Sequence, residues 1–123
     1  PEVQRRILLG TFALAEGWAD DLYRRANSVR SRMRAEIDQA LATTDALMMP
    51  TAPTTAFRLG EKQMDPIQMY RSDIFTTPPS LTGHPALSVP AGQIDGLPVG
   101  AQIVTRHQDE PTALRLGMAI HGR

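Results

Sequence analysis

The sequence contains no cysteine. Disulfides and thiolate chemistry are therefore excluded, and a zinc ion could be held only by histidine or carboxylate. A reducing compartment is compatible with that. Lysine is almost absent as well: the single one, Lys62, sits in the loop-like stretch GEKQMD. There is no excess of either charge, since 13 basic residues balance 13 acidic ones. No global field draws the chain to nucleic acid or a membrane surface. No apolar run approaches the roughly 20 residues of a membrane span. The motifs of common chemistries are missing too: there is no G-x-S-x-G elbow, no H-E-x-x-H, no phosphate-binding loop and no G-x-G-x-x-G.

What is present is the composition of a folded chain. Hydrophobic residues make up 41%, too many for a disordered segment. At 123 residues the chain is one ordinary domain or part of a larger one. It opens with PEVQRRILLG, without methionine and already in helical pattern, as expected of a segment of a longer protein. Any targeting peptide is then expected upstream. No repeat, low-complexity tract or linker divides it, so residues 1–123 are expected to form a single unit.

Apolar periodicity predicts a first helix from Glu2 to Ala15, where Val3, Ile7, Thr11 and Leu14 recur at helical spacing. Leu8, Leu9 and Phe12 widen the stripe, implying cover on more than one side. Gly17 is expected to break this helix. A second helix is predicted from Asp20 to Ala42, with one stripe through Leu22, Ala26, Val29, Met33, Ile37 and Ala40. It carries the only basic cluster, RRANSVRSRMR. Its arginines spread around the helix instead of gathering on one face, so a solvated helix is favoured over a nucleic-acid contact.

Ala46 to Met49 reads as a buried strand stopped by Pro50, followed by a rigid loop, PTAPTTAF. Asp65 can cap a short helix with Pro66 at its first position, and TTPPS is expected to end it. Ala86 to Val89 and Val99 to Thr105 read as strands, joined by a connection containing the turn pair Asp95-Gly96. The close is a helix with Asp109 as N-cap, Pro111 in its first turn and Gly122 at its end. Three strands and four helices are little sheet for an independent fold, and an open edge would need a partner.

Few residues read as chemical. His84, His107 and His121 are not at metal-ligand spacing, and no metal site is expected. Ser88 lies mid-strand with no evident base and reads as a small residue that lets another segment approach. Charges in apolar surroundings remain: Arg5 and Arg6 in the first helix, and Asp73 between a short helix and IFTTPP. On pattern alone these are surface charges, with Asp73 capping a turn.

Taken together, VQRRILLGTFALAEGWADDLYRRANSVR, DALMMPTAPTTAF, DPIQMYRSDIFTTPPSLTGHPALSVPAG and DGLPVGAQIV resemble the C-terminal part of the amidase signature family. The likeness covers nearly the whole chain, in order. It is closest to the branch of the family that serves glutamyl-tRNA(Gln)/aspartyl-tRNA(Asn) amidotransferases. The resemblance implies an α/β fold: the C-terminal portion of an α/β/α architecture, contributing a few strands of a mixed sheet, a hairpin among them, flanked by helices. It also implies amide hydrolysis by two serines and a lysine that belong to the N-terminal half of the family sequence. None of the three is matched here, and Lys62 cannot be aligned with the catalytic lysine. No catalytic residue is therefore assigned to this chain, which is expected to be inactive alone. Two residues carry over to glutamine recognition: Arg6 for the α-carboxylate and Asp73 for the α-ammonium, with Arg5 the less suited member of the doublet. The hairpin is then scaffold near a pocket.

The parent implied by the resemblance releases ammonia from glutamine to amidate Glu-tRNA(Gln) or Asp-tRNA(Asn). It works in the cytoplasm with partner subunits, tRNA being reached through the complex. No cofactor is expected on this chain; ATP and magnesium belong to a partner subunit. One departure is visible: Ala91 stands where many relatives have cysteine after SVP. A free-standing amidase acting on another amide is the nearest alternative. A non-catalytic interaction or RNA-binding module is the alternative of another class.

Overall fold

The computed structural model describes residues 2–13, 19–61 and 66–122. The elements run α1 (Glu2–Ala13), α2 (Ala19–Leu41), β1 (Leu47–Pro50), α3 (Pro66–Ser72), α4 (Thr77–Thr82), β2 (Ala86–Ile94), β3 (Leu97–Val104) and α5 (Glu110–His121). The break expected at Gly17 and the cap expected at Asp65 lie outside the described residues, as does Lys62.

The three strands form one sheet in the order β1-β3-β2, with both pairings antiparallel. Residues directly opposite one another share a face. Met48, Leu87 and Ile103 therefore lie on one side, and Met49, Ser88 and Gln102 on the other. Helix α5 packs on β2 and β3. A Cβ on its Gly117 would stand 2.6 Å from Leu87 Cδ2 and 3.1 Å from Val89 Cγ1, so the missing side chain sets the close approach. Among the described residues, Leu41, Val89, Ile103, Val104 and Ala113 form the buried apolar core.

The β2–β3 hairpin is longer than expected, because strand pairing continues to the turn itself. Asp95 and Gly96 both have positive φ, 51° and 76°, as a two-residue type I′ connection requires. The register slips between Pro90 and Gly92, leaving Ala91 as the extra residue of a bulge. Gly92 takes φ 125° there, a conformation open to glycine. Pro50 belongs to β1 rather than stopping it, which is tolerated on an edge strand.

TTPPS does end α3, yet it also begins a helix absent from the sequence reading. Thr76 is the N-cap of α4, and the prolines fall in its first turn, where no backbone N–H is needed. Asp109 is the N-cap of α5 as expected, without a side-chain capping bond.

Helix α2 packs on α4 and α1. Its stripe is only partly covered: Met33 and Ile37 are half-buried, whereas Leu22 and Val29 are exposed. Arg25 pairs with Asp21 at 2.8 Å and Arg34 with Asp38 at 3.8 Å, both one turn apart on the helix. At its end, Arg106 Nε donates to Leu41 O at 3.1 Å and a terminal guanidinium nitrogen to Thr44 O at 2.7 Å. The Leu41 carbonyl, at the end of the helix, lacks an intrahelical donor, and a cation there also suits the helix dipole. No described helix is long and apolar enough to cross a membrane.

Candidate functional site

Arg6 on α1 and Asp73 just after α3 line one cavity of about 560 Å³, together with Tyr70, Arg71 and Thr77. The Arg6 guanidinium carbon lies 5.7 Å from the Tyr70 ring centroid, within cation–π range. Arg5 lines a different depression, with Leu8 and Phe12. Helical geometry thus separates the doublet, and Arg6 is the member that shares a cavity with Asp73.

The Asp73 turn is built by its main chain. Its carbonyl accepts from Thr76 N at 3.2 Å, Thr77 N at 2.9 Å and Thr76 Oγ1 at 3.4 Å. The turn is also tied to the sheet. Gln102 Nε2, buried on β3, donates to Phe75 O at 2.8 Å. Gln102 went unnoticed in the sequence, where it looks like an ordinary polar position on a strand.

A second cavity of about 750 Å³ lies between the segment 50–57 and the hairpin. Met49, Thr51, Phe57, Ser88, Ala91 and Gly100 line it, with Ser72 at its side. Ser72 and Asp73 are neighbours in the chain, so the end of α3 borders both cavities. The wall is apolar apart from a few hydroxyls. Thr51 Oγ1 and Ser88 Oγ are 2.6 Å apart, a hydroxyl pair with no base among the described residues that line the cavity. Gly100 makes their meeting possible, since a Cβ there would stand 2.8 Å from Thr51 Oγ1 and 2.9 Å from Ser88 Oγ. Ser88 is, as read from sequence, a small residue where segments approach. The hairpin is a wall of a cavity.

Histidines separated in sequence also converge. His84 and His107 come together beside Asp38, whereas His121 is the exposed last residue of α5.

Known proteins give the cavities their context. Residues 1–114 match the family model described as Amidase. The chain belongs to the amidase family. The A-subunit of glutamyl-tRNA(Gln) amidotransferase from Exiguobacterium sibiricum is 51% identical over 119 residues, covering 97% of this chain and 25% of that protein. Its counterpart in Methanosarcina acetivorans is 54% identical over 114 residues, covering 93% and 24%. Among solved structures, the A-subunit of glutamyl-tRNA(Gln) amidotransferase from Thermotoga maritima superposes with a TM-score of 0.80 at 41% identity, covering 97% of this chain and 26% of that one. The chain spans about a quarter of the length of these relatives. It is homologous to a part of the amidase subunit of tRNA-dependent amidotransferases, and its antiparallel sheet and helices match that part of the amidase fold.

Proposed function

We propose that this chain supplies the glutamine-binding clamp, and part of the sheet, of the amidase subunit of a tRNA-dependent amidotransferase. The observation that carries the reading is the joint position of Arg6 and Asp73 on one cavity wall. A guanidinium fork matches both oxygens of an α-carboxylate, and a carboxylate answers an α-ammonium. The ring of Tyr70 beneath Arg6 limits the directions that fork can take. Ser72, beside Asp73, borders the larger cavity, which fits the uncharged end of a glutamine held by its charged end.

In this reading the reaction's serines and lysine come from outside these residues. Attack of a serine oxygen on the side-chain amide carbonyl forms the acyl-enzyme and releases ammonia, and water then frees glutamate. The ammonia passes to a partner subunit, where ATP and magnesium support amidation of Glu-tRNA(Gln) or Asp-tRNA(Asn), in the cytoplasm. Identity near 50% to the amidotransferase subunits of two separate organisms supports this substrate class over another amide.

The test is kinetic. In the complete protein carrying these residues, Arg6→Ala removes charge-assisted bonds of about 1.5–3 kcal/mol. Its kcat/KM for glutamine should fall by roughly one to two decades, while a simple uncharged amide is cleaved as before. Equal kinetics for glutamine in both proteins would favour a free-standing amidase with another substrate.

A further inference from the structure

We propose that Asp38, His84 and His107 form a binding site for a divalent cation of the zinc class, separate from the Arg6–Asp73 cavity. The three come from α2, from the segment between α4 and β2, and from the loop after β3. Each offers one ligand atom, and the three atoms all lie within 4.8 Å of one another. His84 Nε2 is 3.1 Å from Asp38 Oδ1, and His107 Nε2 is 3.9 Å from the same oxygen. Zinc bonds of about 2.0–2.2 Å in a tetrahedron place neighbouring donors about 3.3 Å apart. The cluster is already near that size. Asp38 is half exposed and His107 partly so, which leaves both free to close the remaining gap.

Hydrogen bonding around His84 prepares it as a ligand. Thr82 Oγ1 lies 2.9 Å from Pro78 O and 2.8 Å from His84 Nδ1. When the hydroxyl gives its one proton to Pro78 O, it accepts from His84 Nδ1–H. A bound cation selects that tautomer, which turns the ring's free electron pair on Nε2 toward the Asp38 carboxylate; without a cation, an Nε2–H donating to Asp38 meets the same 3.1 Å contact. A metal-bound histidine is held in just this way, its second nitrogen donating to a fixed oxygen. The His84 side chain is fully buried, and its ring lies 4.1 Å from that of His107, centroid to centroid.

A proton alone could bridge His84 and Asp38. It would leave His107 Nε2 as it is, buried and without a hydrogen-bond partner. An orphaned buried nitrogen costs free energy, and one cation at the centre engages all three donors. Arg34 approaches the other carboxylate oxygen, Oδ2, at 3.8 Å and leaves Oδ1 to the histidines. Two imidazoles and a carboxylate suit zinc better than magnesium or calcium, which prefer oxygen. The adjoining cavity of about 720 Å³, with Arg34, Gln108 and Glu110 on its wall, gives a fourth ligand such as water room to enter. Sequence spacing concealed the site because its ligands come from three separate segments.

Equilibrium dialysis of the complete protein against zinc chloride, with bound metal counted by mass spectrometry, tests the proposal. The expected result is one zinc that His107→Gln and Asp38→Asn each weaken by about tenfold or more, with Thr82→Val weakening it by a similar factor. His121→Gln should leave that zinc in place. Because a substitution could disturb folding, cobalt(II) is added to the unmodified protein in parallel. Visible absorption bands of tetrahedral strength, abolished by excess zinc, support the site. Zinc binding unchanged by His107→Gln and Asp38→Asn, or no such bands, would overturn it.

Discussion

Gly100 stands where two hydroxyls meet, and its missing side chain has a measurable consequence. A methyl group there would meet Thr51 Oγ1, Ser88 Oγ and, at 3.3 Å, Thr51 Cβ. Thr51 cannot retreat easily, because its N–H donates to Gly100 O at 2.9 Å. Alanine in a strand gains about 0.5–1 kcal/mol over glycine, but overpacking costs about 1–3 kcal/mol. Gly100→Ala should therefore lower stability by about 1–2 kcal/mol, read as a reduced denaturation midpoint. Adding Ser88→Gly should recover part of the loss. A midpoint unchanged by Gly100→Ala alone would mean the wall is softer than this packing implies. At the same scale, Asp73→Asn removes the charge proposed to answer the α-ammonium while keeping the side chain's shape. Its effect should appear chiefly in KM for glutamine, about tenfold or more, and hardly at all with an amide lacking the ammonium.

Elements hold these residues in place through a few non-local bonds. Gln102 binds Phe75 O from within the sheet, so Gln102→Leu would leave a carbonyl without its donor, at about 1–3 kcal/mol. The turn carrying Asp73 should loosen, raising KM for glutamine while leaving turnover of simple amides within about threefold. Rescue by Gln102→Asn is not expected, since the shorter side chain cannot reach. Arg106 plays the comparable part for α2. Arg106→Ala should speed amide hydrogen exchange in the last turn of α2 by about tenfold or more, with α5 unaffected. The elements themselves were legible where local chemistry decides them. The Asp-Gly pair announced the hairpin, and the 3.6-residue period announced α2. Helix α4 was missed because two adjacent prolines read as a stop. They stop a helix only when they follow its first turn, and here they occupy it.

At the scale of the whole molecule, apolar surface is the dominant feature. Val3, Ile7, Leu8, Leu9 and Phe12 on α1 are all more than half exposed, although the width of their stripe in the sequence implied cover on more than one side. Such a face is costly in water; the chain spans about a quarter of the length of its relatives, and we propose the rest of the amidase fold as the occupant of this face. The sites were less legible than the elements. Arg6 and Asp73 looked like surface charges until the family resemblance paired them, because nothing local links α1 to the end of α3. Asp38, His84 and His107 had no such help, and only the tertiary structure joins them. The isolated 123-residue chain should show no glutamine hydrolysis above buffer, since its sequence holds no activated nucleophile; ammonia release by the pure chain would contradict that directly.

Arg6 and Asp73 are proposed to hold the charged end of glutamine. A crystal structure of the complete protein with glutamate bound tests this role most directly. The α-carboxylate is expected on the Arg6 guanidinium and the α-ammonium on the Asp73 carboxylate, each within hydrogen-bond distance. Glutamate bound elsewhere, with Arg6 and Asp73 untouched, would contradict it.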